Sequence, residues 1–344
     1  MKKCFVFIIC ILSAVVVCIC QAHDEESVES ENNDFYDNDP AHRLRTPEIY
    51  IDGEIVQKGP VNFAEFPVRS LLVKETKLED GEVIFIGAYR YEGYSLFDIL
   101  KERILKKKNM EEFPPPLDSY LEIENARGEK VVVSWGEIFY PSILNRIIIA
   151  TSVSPIVPSR SGEQWPIPKI SKMVFADDLL AERNLTGPVK ITVRSAPRSF
   201  PINRKIKPLY SPEIKFYRDD NLLGKITEFK DLLKPQSYKS IFYGKGRGLH
   251  SISDFSGYEL KEILAKYFSP NTEILRRGFF TIAAVDGYRV VFSASEIFNR
   301  NDWSEFLILD LGKAEGGKFK VFPAPDFFSD RAIKAVSKIH FDLI

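Results

Sequence analysis

One ten-residue pattern occurs twice, and a duplication constrains a fold more than any composition does. Tyr91-Glu92-Gly93-Tyr94-Ser95-Leu96-Phe97-Asp98-Ile99-Leu100 and Phe255-Ser256-Gly257-Tyr258-Glu259-Leu260-Lys261-Glu262-Ile263-Leu264 both read aromatic-x-Gly-Tyr-x-Leu-x-x-Ile-Leu. Leu96, Ile99, Leu100 and Ile104 share one helical face, as do Leu260, Ile263, Leu264 and Tyr267. The glycine ahead of each run suits a turn leading into a helix. Two further landmarks follow in the same order. Ser134-x-x-Glu137-Ile138-Phe139 matches Ser293-x-x-Glu296-Ile297-Phe298, and Ser171-Lys172-x-x-Phe175 matches Ser337-Lys338-x-x-Phe341. The chain therefore reads as two copies of one alternating strand and helix unit.

The ends set the context. Lys2 and Lys3 precede an apolar run from Phe5 to Cys20, then Gln21-Ala22, which describes a secretory signal peptide cleaved after Ala22. An uncleaved membrane anchor is the other reading of the run, although it is short for a full span. All four cysteines, Cys4, Cys10, Cys18 and Cys20, lie inside this segment. A mature chain without a thiol forms no disulfide and has no Cys nucleophile or metal ligand. The expected destination is periplasmic or extracellular by the general secretory route, with membrane tethering as a variant.

His23 to Pro40 holds eight acidic residues and neither Lys nor Arg, so residues 23–44 are expected to form a disordered acidic tether. Without Lys2, Lys3 and those eight acids, 47 basic and 48 acidic residues become 45 and 40. That small excess gives no case for nucleic acid. The first unit is placed at residues 45–195 and the second at 213–344. Between them, residues 196–212 form a linker of prolines and basic residues with no periodicity. Strands are expected at Leu71–Lys74, Val83–Ile86, Ile147–Ala150 and Glu213–Tyr217, with hairpins about Arg127-Gly128 and Asp286-Gly287.

Three stretches resemble the molybdopterin-binding domain of the sulfite oxidase family. They are Ile49-Tyr50-Ile51-Asp52-Gly53-Glu54-Ile55-Val56 followed by Phe63-Ala64-Glu65-Phe66-Pro67, the Gly-x-x-Leu-x-x-Ile-Leu helix, and the closing run from Arg331 to Phe341. The resemblance implies an α+β fold of two tandem mixed α/β units. It also implies a cysteine ligand to molybdenum in Val83–Tyr89 or Ile241–Arg247, and neither stretch contains Cys. A soft thiolate is not replaced by Ile or Tyr without changing the metal's coordination. Exported family members that carry cofactor are expected behind a twin-arginine signal, whereas this chain begins with Lys2-Lys3. The expectation is a duplicated, exported pseudoenzyme of binding or assembly function, with no cofactor. The alternative is a molybdopterin-dependent oxidoreductase with a non-Cys ligand.

Gly244-Lys245-Gly246-Arg247-Gly248-Leu249-His250 is the most ligand-like stretch, because its glycines would let backbone N–H groups reach an anion. Lys245, Arg247 and His250 are its candidate contacts. Arg90 stands at the corresponding place in the first copy, and Arg160 lies in the polar loop Ser159–Trp165. The expected partners are an anionic small molecule or an envelope protein. Glu137 and Glu296 fit capping boxes better than acid-base roles. Four scattered histidines offer no zinc site, no catalytic residue is assigned, and no stable membrane span is expected once the signal is removed.

Overall fold

The structure, a computed structural model, describes residues 39–229, 234–312 and 317–344. The signal sequence, its four cysteines and nearly all of the acidic tether lie outside the described residues. In the first half come β1 (His42–Arg43), β2 (Tyr50–Gly53), β3 (Gly59–Pro60), β4 (Arg69–Glu79), β5 (Glu82–Ser95), α1 (Leu96–Leu100), β6 (Ser119–Asn125), β7 (Lys130–Ser134), α2 (Trp135–Phe139), β8 (Ile147–Pro155), β9 (Lys172–Phe175) and β10 (Pro188–Ser195). In the second half come β11 (Ile214–Arg218), β12 (Asn221–Ile226), β13 (Gln236–Gly244), β14 (Gly248–Glu259), α3 (Leu260–Ala265), α4 (Thr272–Arg277), β15 (Gly278–Ala284), β16 (Arg289–Ser293), α5 (Ala294–Phe298), β17 (Phe306–Asp310), β18 (Phe319–Pro323), β19 (Ile333–Lys334) and β20 (Val336–Leu343).

These strands make four five-stranded sheets, arranged as a four-bladed β-propeller. The first half supplies β4-β5-β8, with β1 and β9 both on the far edge of β8, and β3-β2-β10-β6-β7. The second supplies β12-β11-β20-β15-β16 and β13-β14-β17-β18-β19. The α+β, sulfite-oxidase-like fold and the molybdopterin-binding-like domain are thereby overturned: strand occupies 47% of the described residues and helix 13%. Each apolar run that reads as a helix stops after five or six residues, since its face is covered within one and a half turns. Ile104, expected on the buried face of α1, is exposed.

The two halves share one strand order. β2 runs parallel to β10 as β11 does to β20, and each half closes only when its last strand returns to one near its start. The Ser134 and Ser293 landmarks both fall at the turn from a hairpin's second strand into a helix. The third landmark was out of register. By its pairing to β8, β9 is equivalent to β18, whereas the Ser337–Phe341 stretch lies in β20, the equivalent of β10.

Gly93 and Gly257 lie within strands rather than in turns. A Cβ on Gly257 would come 2.5 Å from the Ile308 carbonyl oxygen, and Gly93 faces Ile149 in the same way. These glycines serve close approach of two backbones.

Leu96, Ile99, Leu121, Ile149 and Met173 belong to the core of the first half. The second half's core takes in Phe113, Leu117 and Tyr140 from the first. Tyr120 stacks on Phe279, 4.6 Å between centroids, to join the halves directly. The expected linker is packed into this junction, with Phe200 buried and Arg198 held by Asp220 and Asp342. The expected tether ends early, because His42 and Arg43 pair with Val153 and Ser152. Among the described residues no helix is long and apolar enough to cross a membrane.

At the centre the halves exchange equivalent contacts. Pro141 bridges Asp326 while Asp178 bridges Arg300. Arg183 is fully buried, holding Glu137 at 2.5 Å and Asp178 at 2.7 Å, and Arg331 holds Glu296 at 2.8 Å and Asp326 at 2.6 Å. Glu296 also closes the expected capping box with Ser293. Glu137 does not close one; its carboxylate is drawn to Arg183 and accepts from Ser293 of the other half. Burial raises the pKa of Glu296 and Asp326, whereas for Glu137 burial is outweighed by Arg183 and the pKa falls. These charges are satisfied by one another, which makes the centre structural.

Candidate functional site

The sequence-derived candidates separate in space. Lys245 and Arg247 sit exposed at the tip of the β13–β14 hairpin, where Gly244 pairs with Gly248. The turn's backbone does not cradle an anion. Instead the Lys245 N–H donates to Asp330 Oδ2 at 3.0 Å. Gly248 has φ +72°, which the turn requires, and Gly244 leaves room for the His250 ring, whose Nε2 lies 2.5 Å from where a Cβ would stand. Arg90 is half-buried in β5, on a sheet of the other half, and Arg160 is exposed in the loop after β8. Val83–Tyr89 and Ile241–Arg247, paired by the resemblance, are not equivalent: one follows its hairpin turn and the other leads through it.

Of these five residues His250 lines a pocket. This open cavity of about 300 Å3 is walled by Leu209, Phe242, His250, Asp286, Tyr288, Lys320, Ser329, Ala332 and Lys334. Its centre is Lys320. Strand alternation sends Phe319 and Val321 into the core and Lys320 and Phe322 to the other face. There Phe255 stacks on Phe322, 4.2 Å apart and nearly parallel. The Lys320 ammonium rests on this floor, 4.2 Å from the Phe242 centroid and 5.3 Å from that of Phe255.

Directly across the strand pair stands Lys334, a like charge that repels it. Lys320 is only 8% exposed, and among the described residues no hydrogen bond or ion pair reaches its ammonium. Burial, reinforced by Lys334, pushes its pKa down to about 8. The polar rim holds Asp286, which accepts from the Tyr288 N–H at 3.0 Å, and Tyr288, whose hydroxyl donates to the Asp330 carbonyl at 2.5 Å.

The first half supplies an internal control. By strand register Lys172 is equivalent to Lys320, Tyr91 to Phe255, Glu75 to Phe242 and Thr186 to Lys334. Lys172 also lies over its ring, 5.1 Å from Tyr91, but it is neutralised by Glu75 at 2.6 Å. Leu44 and Trp165 pack against the cluster that contains Tyr91. Trp165 is therefore a packed residue of this face, its indole N–H donating to the Ile156 carbonyl at 2.7 Å. One half has a closed, ion-paired lysine, and the other keeps the lysine but replaces its counter-ion with a ring and adds a second cation.

No protein-family model and no curated protein matches this chain. The site's reading rests on its own geometry. Sequence reasoning reached His250 but missed Lys320, because a lysine in an apolar strand carries no signal until its cross-strand neighbours are known. It also missed a repeated signal for the central ion pairs: Ala176-x-Asp178-x-x-x-x-Arg183 recurs as Ala324-x-Asp326-x-x-x-x-Arg331. Among the described residues no group of three His, Cys, Asp or Glu is arranged to hold a metal.

Proposed function

We propose that this chain is an exported, non-catalytic binding protein that holds a small anionic ligand in the Lys320 pocket. Export is supported by Lys2-Lys3 and the apolar run behind them. Lys320 and Lys334 supply the charge, His250 a third polar contact, and Phe242 with Phe255 an apolar floor for the ligand's body. The observation that carries the reading is a largely buried lysine with no counter-ion among the described residues, in a register where the other half of the same molecule supplies one. Such an arrangement costs stability, and a bound anion would remove the cost. The molybdopterin alternative depended on the overturned fold and is not carried forward.

The test is calorimetric titration and thermal shift with acetate, propionate, phosphate and sulfate. Phe242→Glu rebuilds the first half's ion pair in the second half, and Lys320→Met removes the charge. At least one anion is expected to bind the parent chain and to lose at least ~10-fold in affinity in both variants, the loss of one charge-assisted contact. Equal binding by parent and variants, or no binding of any anion, would overturn the reading.

A further inference from the structure

The pocket's lysine is placed as a nucleophile as well as a cation. Building on the anion-binding reading, we propose that Lys320 captures its ligand covalently, as an imine, and that the ligand is a small oxo acid with both a carbonyl and a carboxylate. Three features of the site converge on this. Lys320 lines an open cavity, and among the described residues no hydrogen bond would engage its nitrogen's lone pair once deprotonated. Lys334 stands directly opposite on the next strand and lines the same cavity, where it can take the carboxylate. Burial and the like charge of Lys334 together favour the neutral amine, the two devices by which a lysine becomes reactive toward carbonyls. Lys172, ion-paired to Glu75, has neither freedom.

The step balances without a co-reactant. The Lys320 ammonium loses a proton to solvent, and its nitrogen attacks the carbonyl carbon to form a C–N bond. The carbonyl oxygen then takes up two protons and leaves as water, giving a C=N bond. Nothing is oxidised or reduced. Asp286 and the open mouth of the pocket give the departing water a polar path. The result is retention of the ligand, not its turnover.

The full chain is incubated at neutral pH with pyruvate and cyanoborohydride, and the reduced adduct is located by peptide mass mapping. Propionate, which has the carboxylate but no carbonyl, is the reversible probe. A single adduct at Lys320, formed at least ~10-fold faster than at any other lysine, is expected from the larger share of neutral amine. Lys320→Arg keeps the charge and is expected to keep propionate binding while losing the adduct. Lys320→Met loses both and serves if the Arg variant does not fold. Adducts spread evenly over exposed lysines would overturn the capture. Propionate binding that depends on Lys320 with no adduct from pyruvate would overturn the capture and leave the anion site standing. Failure of both probes would overturn the capture, and the anion site falls with it when acetate, phosphate and sulfate do not bind either.

Discussion

Two lysines at one register have opposite energetic roles. Lys172 and Glu75 are buried together at 2.6 Å, so removing the cation strands a carboxylate. Lys172→Met is expected to cost about 3–5 kcal/mol. Lys320 has no such partner, and its pKa falls from the usual lysine value to about 8. That shift is a folding penalty of about 3 kcal/mol at neutral pH. Its sign follows from proton counts: above pH 8 the folded state has released the proton while the unfolded chain still holds it. Stability therefore rises with pH from about 8 to the unfolded lysine's value, and the penalty is fully present below 8. Lys320→Met is expected to raise stability below pH 8 by up to that amount, with the gain shrinking toward alkaline pH. Urea unfolding of both variants across that range checks the pair, and a Lys320→Met protein less stable than its parent at pH 7 would be the contrary result. His340, unassigned in the sequence, is buried and stacked on Tyr217. Burial lowers its pKa to about 4, and Asp220, 4.0 Å away but largely exposed, is too well screened to reverse that.

At the scale of elements, most strands were legible and the helices were not. Alternation around Asp80-Gly81 and Arg127-Gly128 locates hairpins because the turn and the pleat are both local properties. The Leu-x-x-Ile-Leu runs have helical spacing, but their true length is set by what covers them, which no local window contains. Gly93 and Gly257 show the same limit. Their strand conformation needs no glycine, and the reason for it is the backbone of Ile149 or Ile308 across the sheet. Gly257→Ala is accordingly expected to destabilise by about 1–3 kcal/mol, the range for forcing an added carbon into a packed site. Gly246→Ala, in the hairpin tip with open space around it, is expected to change little. Equal denaturation midpoints for the two would show that the Ile308 approach is relaxed in solution. The third landmark failed for a related reason: Ser-Lys-x-x-Phe fits two different strands, and only pairing tells them apart.

Across the whole molecule, the order of elements was readable while the class was not, because hydrophobic patterning identifies faces without saying which sheet each face meets. The resemblance filled that gap with an α+β arrangement that the strand-rich structure does not have. What joins the halves lay outside any local pattern: Arg331 is fully enclosed with Glu296 and Asp326, beside the other half's Pro141. Arg331→Met would leave two buried carboxylates without a cation. The expected loss is about 3–5 kcal/mol at neutral pH, measured by urea unfolding, with part of it recovered in the Arg331→Met, Glu296→Gln double variant. No recovery would mean that the arginine acts through packing on Phe292 and not through charge.

The parallel closing pairs also have a consequence in time. Tyr50 meets Lys190 and Lys215 meets Lys338, so each half is completed by a contact between its last strand and one near its start, β2 or β11. Contacts of such separation form late, after loop entropy has been overcome, and chains dominated by them fold slowly. During synthesis neither half can close until its final strand has emerged, and Phe113, Leu117 and Tyr140 of the first half stay without their core until the second half follows. The topology thus delays the passage from an open newborn chain to a compact body.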